Sequence, residues 1–165
     1  MPAITALLHT QNDALRLGRA LETLLPCDEI LVVDHDSRDA TRRIAREYGA
    51  RVVEASDAAS PRQYLQFARC EWIFCLEPRE SLTEALAASI FEWRSLPRSE
   101  SQASHALITP FSVFLREETP GGWLENPTAQ TRLVPRNWNQ WKGLLPGPEP
   151  SAIALEGSLL RFLLP

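Results

Sequence analysis

Two acidic segments carry most of the chemistry that this sequence offers. In the first, Asp34, Asp36, Ser37 and Asp39 follow the apolar run at residues 30–33. Carboxylates in a turn at the end of a buried strand can accept hydrogen bonds from a ligand, so this segment reads as half of a nucleotide site. In the second, Glu77, Pro78, Arg79 and Glu80 follow another apolar run, Trp72 to Leu76. Glu77 supplies a carboxylate, Pro78 stiffens the turn, and Arg79 places a guanidinium beside them. A hard divalent cation needs several oxygen ligands and is held poorly by one carboxylate next to an arginine. That guanidinium suits phosphate, which an arginine fork binds directly. The first segment thus speaks for a nucleotide and the second against a metal.

The elements that would position these groups are legible from spacing. Residues 4–8 form a short apolar run, and Asn12 or Asp13 can cap a helix defined by Ala14, Leu17, Leu21 and Leu24. After Pro26 comes a strand at residues 30–33. A helix capped by Asp39 follows, with Ala40, Ile44, Ala45 and Tyr48 on its buried face and Gly49 as a left-handed end. Residues 51–54 read as a third strand, Pro61 opens a helix running to about Arg69, residues 72–76 form a fourth strand, and residues 82–94 a further helix. This alternation predicts a largely parallel sheet with helices on both sides and a ligand site at the carboxyl ends of the strands. Beyond Leu96, a polar loop at residues 97–104 precedes strand candidates at residues 106–115, 131–134 and 158–163. These predict an irregular, partly antiparallel extension of the same sheet.

Composition bounds the alternatives. A chain of 165 residues suits one domain, residues 1–165, able to fold without disulfides or metal. The net charge of -4 gives no reason to expect nucleic acid as partner. Cys27, Cys70 and Cys75 form no CxxC pair, which argues against a disulfide framework or zinc site and for a reducing compartment; Cys70 and Cys75 read as apolar fillers. No stretch approaches the roughly 20 residues of a membrane span, so the expected location is cytoplasmic, with any membrane contact peripheral at the inner face.

Taken in order, these motifs resemble the family-two glycosyltransferases of the GT-A fold, and most closely the branch similar to lipopolysaccharide-core glucosyltransferases. The matching features are His9-Thr10-Gln11-Asn12-Asp13 after the first strand, Asp34, Ser37 and Asp39 after the second, and Ala45-Arg46-Glu47-Tyr48-Gly49-Ala50 at a helix end. Arg62 and Gln63 precede the fourth strand, which begins at Trp72, and Arg132, Leu133, Arg136, Trp141 and Gly143 complete the series. The resemblance implies an α/β fold with a central, mainly parallel mixed sheet flanked by helices. It further implies transfer of a hexose from a nucleoside diphosphate sugar, of UDP type, to a glycan or glycolipid.

The resemblance also assigns roles and exposes departures. Asp34 would read the base, with Asp36 beside it, although turn formation or helix capping explains these aspartates as well. Arg62, Arg79 and Arg132 would hold diphosphate, and a surface ion pair is the plainer alternative for Arg62 and Arg132. Trp123, after Gly121 and Gly122, would stack on a sugar or base, or pack in a hairpin. The Asp-x-Asp metal motif of such enzymes is altered, leaving Glu77 as its one ligand, so manganese or magnesium is disfavoured as cofactor. The His-Glu pair that supplies a base is replaced at residues 143–148, leaving Arg79 and Glu149 as catalytic candidates. Two altered catalytic parts imply weak or absent transfer. The alternative is a non-catalytic nucleotide-binding or scaffold protein beside a polysaccharide enzyme or at a membrane surface.

Overall fold

The computed structural model of the chain describes residues 1–97 and 109–165. Its first half alternates strands and helices: β1 (Ile4–Thr10), α1 (Ala14–Glu22), β2 (Glu29–Asp34), α2 (Thr41–Glu47), β3 (Arg51–Glu54), α3 (Pro61–Tyr64) with a 3-10 turn (Leu65–Phe67), and β4 (Trp72–Cys75). Next come β5 (Glu80–Leu82), α4 (Glu84–Ser95), β6 (Phe111–Thr119), β7 (Gly122–Trp123), β8 (Thr128–Pro135), β9 (Trp141–Lys142), β10 (Leu145–Pro146) and β11 (Ile153–Arg161). One sheet joins both halves in the order β3-β2-β1-β4-β8-β6-β11-β5, with β7 on β6 and the β9–β10 hairpin separate. From β3 to β4 the pairing is parallel. β8 then runs antiparallel to both β4 and β6, and β11 is parallel to β6. This is the α/β architecture expected from the resemblance, a mixed sheet with helices on both faces.

Period-two alternation builds the two cores. β1 sends Ile4, Ala6 and Leu8 into one layer, where Leu17, Ala20 and Leu21 of α1, Ala45 of α2, and Leu86 and Ile90 of α4 meet them. Leu7 points the other way, into a layer with Val33, Tyr64, Ile73, Val134 and Trp138. Cys70 and Cys75 are both buried, as expected of fillers, Cys75 in the second layer, where burial pushes its thiol up to about 12.

Several boundaries differ from expectation for local reasons. The third helix changes to a 3-10 turn after Tyr64 and ends at Phe67 rather than Arg69. Leu82 belongs to β5, and α4 starts at Glu84, where the Thr83 hydroxyl accepts from the Leu86 N–H. Of the strand candidate at residues 106–115, residues 106–108 lie outside the described residues, as does the polar loop from residue 98, and β6 runs from Phe111. The short strands β7, β9 and β10 lack enough residues to show an alternation and were not expected. β11 contains a bulge at Gly157, with φ of +85°, and there the strand presses against the start of α4. A Cβ on this glycine would lie 2.7 Å from the Ala85 carbonyl carbon, with the Leu86 nitrogen nearer still.

Candidate functional site

The parallel strands β1, β2 and β4 bring three turns together at their carboxyl ends. The turns after β1 and β2 are tied into one unit by side chain to backbone hydrogen bonds. The Asn12 N–H donates to Ser37 Oγ (2.9 Å), the Arg38 N–H to Asn12 Oδ1 (2.9 Å), the Asp13 N–H to Thr41 Oγ1 (2.8 Å), and the Ala14 N–H to Asp39 Oδ2 (3.2 Å). Asn12 and Asp36 take left-handed backbone conformations, with φ of 55° and 54°, which short polar side chains tolerate. Asp39 therefore organises both turns: its other oxygen accepts from the Thr41 N–H and hydroxyl at the start of α2.

Asp34 lies at the centre of this unit and is 1% exposed. Its carboxylate accepts from Thr10 Oγ1 (2.9 Å), the Ser37 N–H (2.9 Å) and hydroxyl (2.5 Å), and Arg42 Nε (2.7 Å). Burial alone would raise its pKa, but the hydrogen bonds from Ser37, Arg42 and Thr10 outweigh that and hold it below the usual aspartate value. Asp34 has the partners of a turn organiser, whereas the neighbouring Asp36 is exposed, with long contacts of 3.7 Å to Arg42 and 3.9 Å to Arg38.

The turn after β4 is closed by the Glu80 N–H donating to the Glu77 carbonyl (3.0 Å) and the Glu77 N–H donating to Glu80 Oε2 (2.9 Å). Its two glutamates are committed to arginines. Glu80 is fully buried and pairs with Arg132, also fully buried, through Nη1–Oε2 at 2.8 Å and Nη2–Oε1 at 2.9 Å. Arg161 from β11 reaches Glu77 (2.9 Å), Glu80 (2.9 Å) and Glu117 (2.7 Å). Arg132 was expected at the diphosphate; instead it is enclosed among Glu80, the Cys75 carbonyl and Gln130, with no surface for a ligand. The central place of β8 decides this: between β4 and β6 both of its faces are covered, and residues 131–135 are all buried. A divalent ion does not fit the glutamates as arranged, because both already neutralise guanidinium groups. No group of three or more His, Cys, Asp or Glu side chains suited to a metal occurs among the described residues.

A cavity of about 220 Å³ opens beside this turn, lined by Leu7, His9, Asp13, Arg16, Glu77 and Arg79, with Leu144 and Leu145 of the β9–β10 hairpin also at its wall. Arg79 is exposed and its guanidinium has no hydrogen-bond or ion-pair partner among the described residues. His9 Nδ1 lies 2.9 Å from His35 Nε2, while His9 Nε2 is buried without a partner. Burial, then the nearby His35, pushes the His9 pKa down to about 4, so the ring is neutral near pH 7. The other predicted residues lie apart from this cavity. Arg62 borders a separate groove with Arg136 and Asn137, Trp123 packs edge-on against Phe162 at 5.6 Å, and Glu149 lines a cleft with Thr131 and Lys142. The Ser151 N–H and hydroxyl hold the Glu149 carboxylate below the usual glutamate value. Arg16 was not singled out by the sequence, and His9 entered only as the first residue of the motif after the first strand.

Over 54 residues the chain is 41% identical to an uncharacterized glycosyltransferase of Rickettsia felis, a match covering 32% of this chain and 19% of that protein. The chain is similar to glycosyltransferases. No protein-family model matches it. Among solved structures, residues 1–349 of S. aureus TarS match with 18% identity and a TM-score of 0.45, over 71% of this chain and 35% of that one. The glucosyl-3-phosphoglycerate synthase of Mycobacterium tuberculosis, in complex with Mn2+, UDP and glucosyl-3-phosphoglycerate, matches with 16% identity and a TM-score of 0.45, over 70% and 43%. The mannosyl-3-phosphoglycerate synthase of Rubrobacter xylanophilus matches with 19% identity and a TM-score of 0.47, over 70% and 39%. Each match spans less than half of the other protein's length.

Proposed function

We propose that this chain binds a nucleoside diphosphate sugar at the carboxyl ends of β1, β2 and β4, and that its own hexosyl transfer to a glycan or glycolipid is weak or absent. The nucleotide half rests on the likeness to a glycosyltransferase over 54 residues and on the cavity between the turns after β1 and β4, with the turn after β2 tied to the first of them. The second half is carried by one observation: Glu77 and Glu80, where a metal-binding acid pair would stand, are ion-paired with Arg161 and Arg132. A leaving diphosphate then has arginine rather than a metal to offset its charge. Calorimetry with UDP and UDP-sugars, with manganese or with a chelator, tests this. The expected result is binding that manganese does not strengthen, and donor hydrolysis close to background. Manganese-enhanced micromolar binding would overturn the metal-free reading.

A second reading, a non-catalytic scaffold next to a polysaccharide enzyme, is favoured by Trp123, Leu124, Leu163 and Leu164, all exposed. No helix among the described residues is long and apolar enough to cross a membrane. Absence of any nucleotide binding in the same calorimetry would favour the scaffold.

A further inference from the structure

We infer that the apolar rim formed by Trp123, Leu124, Phe162, Leu163 and Leu164 is a docking surface for a second copy of this chain, arranged about a two-fold axis. This goes beyond the nucleotide reading and does not depend on it.

The rim is tied together from separate segments. Trp123 meets Phe162 edge-on at 5.6 Å, and the Arg19 guanidinium lies 3.9 Å over the Phe162 ring. Arg19 Nη2 donates to the Leu164 carbonyl (2.9 Å), the Leu163 N–H to Glu118 Oε2 (3.1 Å), and the Leu124 N–H to the Glu117 carbonyl (2.9 Å). These bonds hold the segment after β7 and the segment after β11 side by side, yet Leu124 and Leu163 stay nearly half exposed and Leu164 is 71% exposed. Leu15, 84% exposed and one turn before Arg19 on α1, extends the rim. Single exposed leucines are ordinary, but a contiguous apolar group bordered by charge marks an interaction site. Aromatic side chains and arginine are also enriched in protein–protein interfaces.

The bordering charges select the partner. On the α1 side stand Arg16, Arg19 and Arg79, the last joined to the rim by the Phe162 N–H donating to its carbonyl (3.1 Å). Arg19 bonds a ring and a carbonyl, and no carboxylate pairs with it among the described residues. Of the acids on that side, Asp13 reaches Arg16 only at 3.7 Å, and Glu22 accepts from the Tyr48 hydroxyl. On the β7 side stand Glu117, Glu118 and Glu125. Arg161 serves Glu117 but is shared with Glu77 and Glu80, and Arg116 is the other cation of that flank. One flank is thus cationic and the other acidic. A two-fold rotation through the rim lays it on itself and sets each flank against the opposite flank of the second copy, the self-complementarity that an isologous dimer requires. An anionic lipid surface fits less well, because Glu118 and Glu125 stand beside the leucines it would receive.

Sedimentation velocity on the full chain is expected to show a concentration-dependent monomer–dimer equilibrium with a micromolar Kd. Arg19→Glu alone and Glu125→Arg alone each set like charges against one another at both flanks and should weaken the dimer about tenfold or more. An equimolar mixture of the two variants should restore it, because a chain acidic at both positions then meets a chain cationic at both. A folding defect in either variant cannot produce that recovery. Leu124→Glu, in the exposed stretch after β7, should weaken the dimer by a similar factor while its thermal melt stays that of the native chain. The inference is overturned if the native chain remains monomeric at about 100 µM, well above a micromolar Kd, if Leu124→Glu dimerises like the native chain, or if the mixture stays as weak as its components. Flotation of a monomeric chain with phosphatidylglycerol vesicles assigns the surface to lipid and overturns it as well. None of these outcomes bears on UDP binding, which calorimetry decides separately.

Discussion

Glu80 and Arg132 face each other in the fully buried interior as a two-pronged ion pair, at 2.8 and 2.9 Å, joining the turn after β4 to β8. Both lie inside motifs that, by residue type, read as ligand-binding. Removing one partner leaves a buried charge unmet, a loss of about 3–5 kcal/mol, so Glu80→Leu and Arg132→Met should each lower the urea midpoint sharply. The double variant should lose less than the sum of the two. Strictly additive losses would show that the pair does not couple.

Acid should destabilise the fold through the same carboxylate. Burial alone would raise the Glu80 pKa, but Arg132, with Arg161 behind it, holds it below the ordinary glutamate value. For a depressed carboxylate, the unfolded chain binds the proton first as pH falls. The stabilisation is therefore complete above the unfolded value of about 4.3 and is lost as pH drops through the lower folded value. Thermal melts between pH 6 and pH 3 should show this slope, and Glu80→Gln should reduce it.

His9 predicts a second, separate pH window. Its folded pKa of about 4 lies below the unfolded value of about 6.5, so the unfolded chain takes up the proton first and stability falls as pH drops from 7 towards 4. The full effect is at most about 3 kcal/mol. NMR should show no His9 titration above pH 5, and His9→Gln should flatten the stability profile between pH 6.5 and 4. A His9 midpoint near 6.5 would refute the burial argument.

Asp34 is expected to matter for folding whether or not a nucleotide is present. Asp34→Ala strands the donors of Thr10, Ser37 and Arg42 and should cost about 3 kcal/mol in urea unfolding. If stability is unchanged and nucleotide affinity alone falls, the residue reads the base rather than ordering the turn.

Gly157 tests the close approach of β11 to α4. Both the positive φ and the contact with Ala85 and Leu86 oppose any side chain, so Gly157→Ala should destabilise by about 3 kcal/mol or more. A loss below 1 kcal/mol would mean that the bulge relaxes readily.

The alternation of apolar runs with helical periods from Ile4 to Cys75 determined the parallel half of the sheet, because period is a local property written into consecutive residues. The acidic turn after β2 was equally visible, and Ser37 and Asp39 do organise it. Tertiary structure decided which charged groups remain for a ligand. Arg132 and Arg79 look alike in sequence, yet strand pairing places one between β4 and β6 against Glu80 and leaves the other at a cavity wall. Arg161 and Glu77, 84 positions apart, meet through β11 and the turn after β4. Residue type determines what a side chain can bind; long-range pairing decides whether another residue has already bound it.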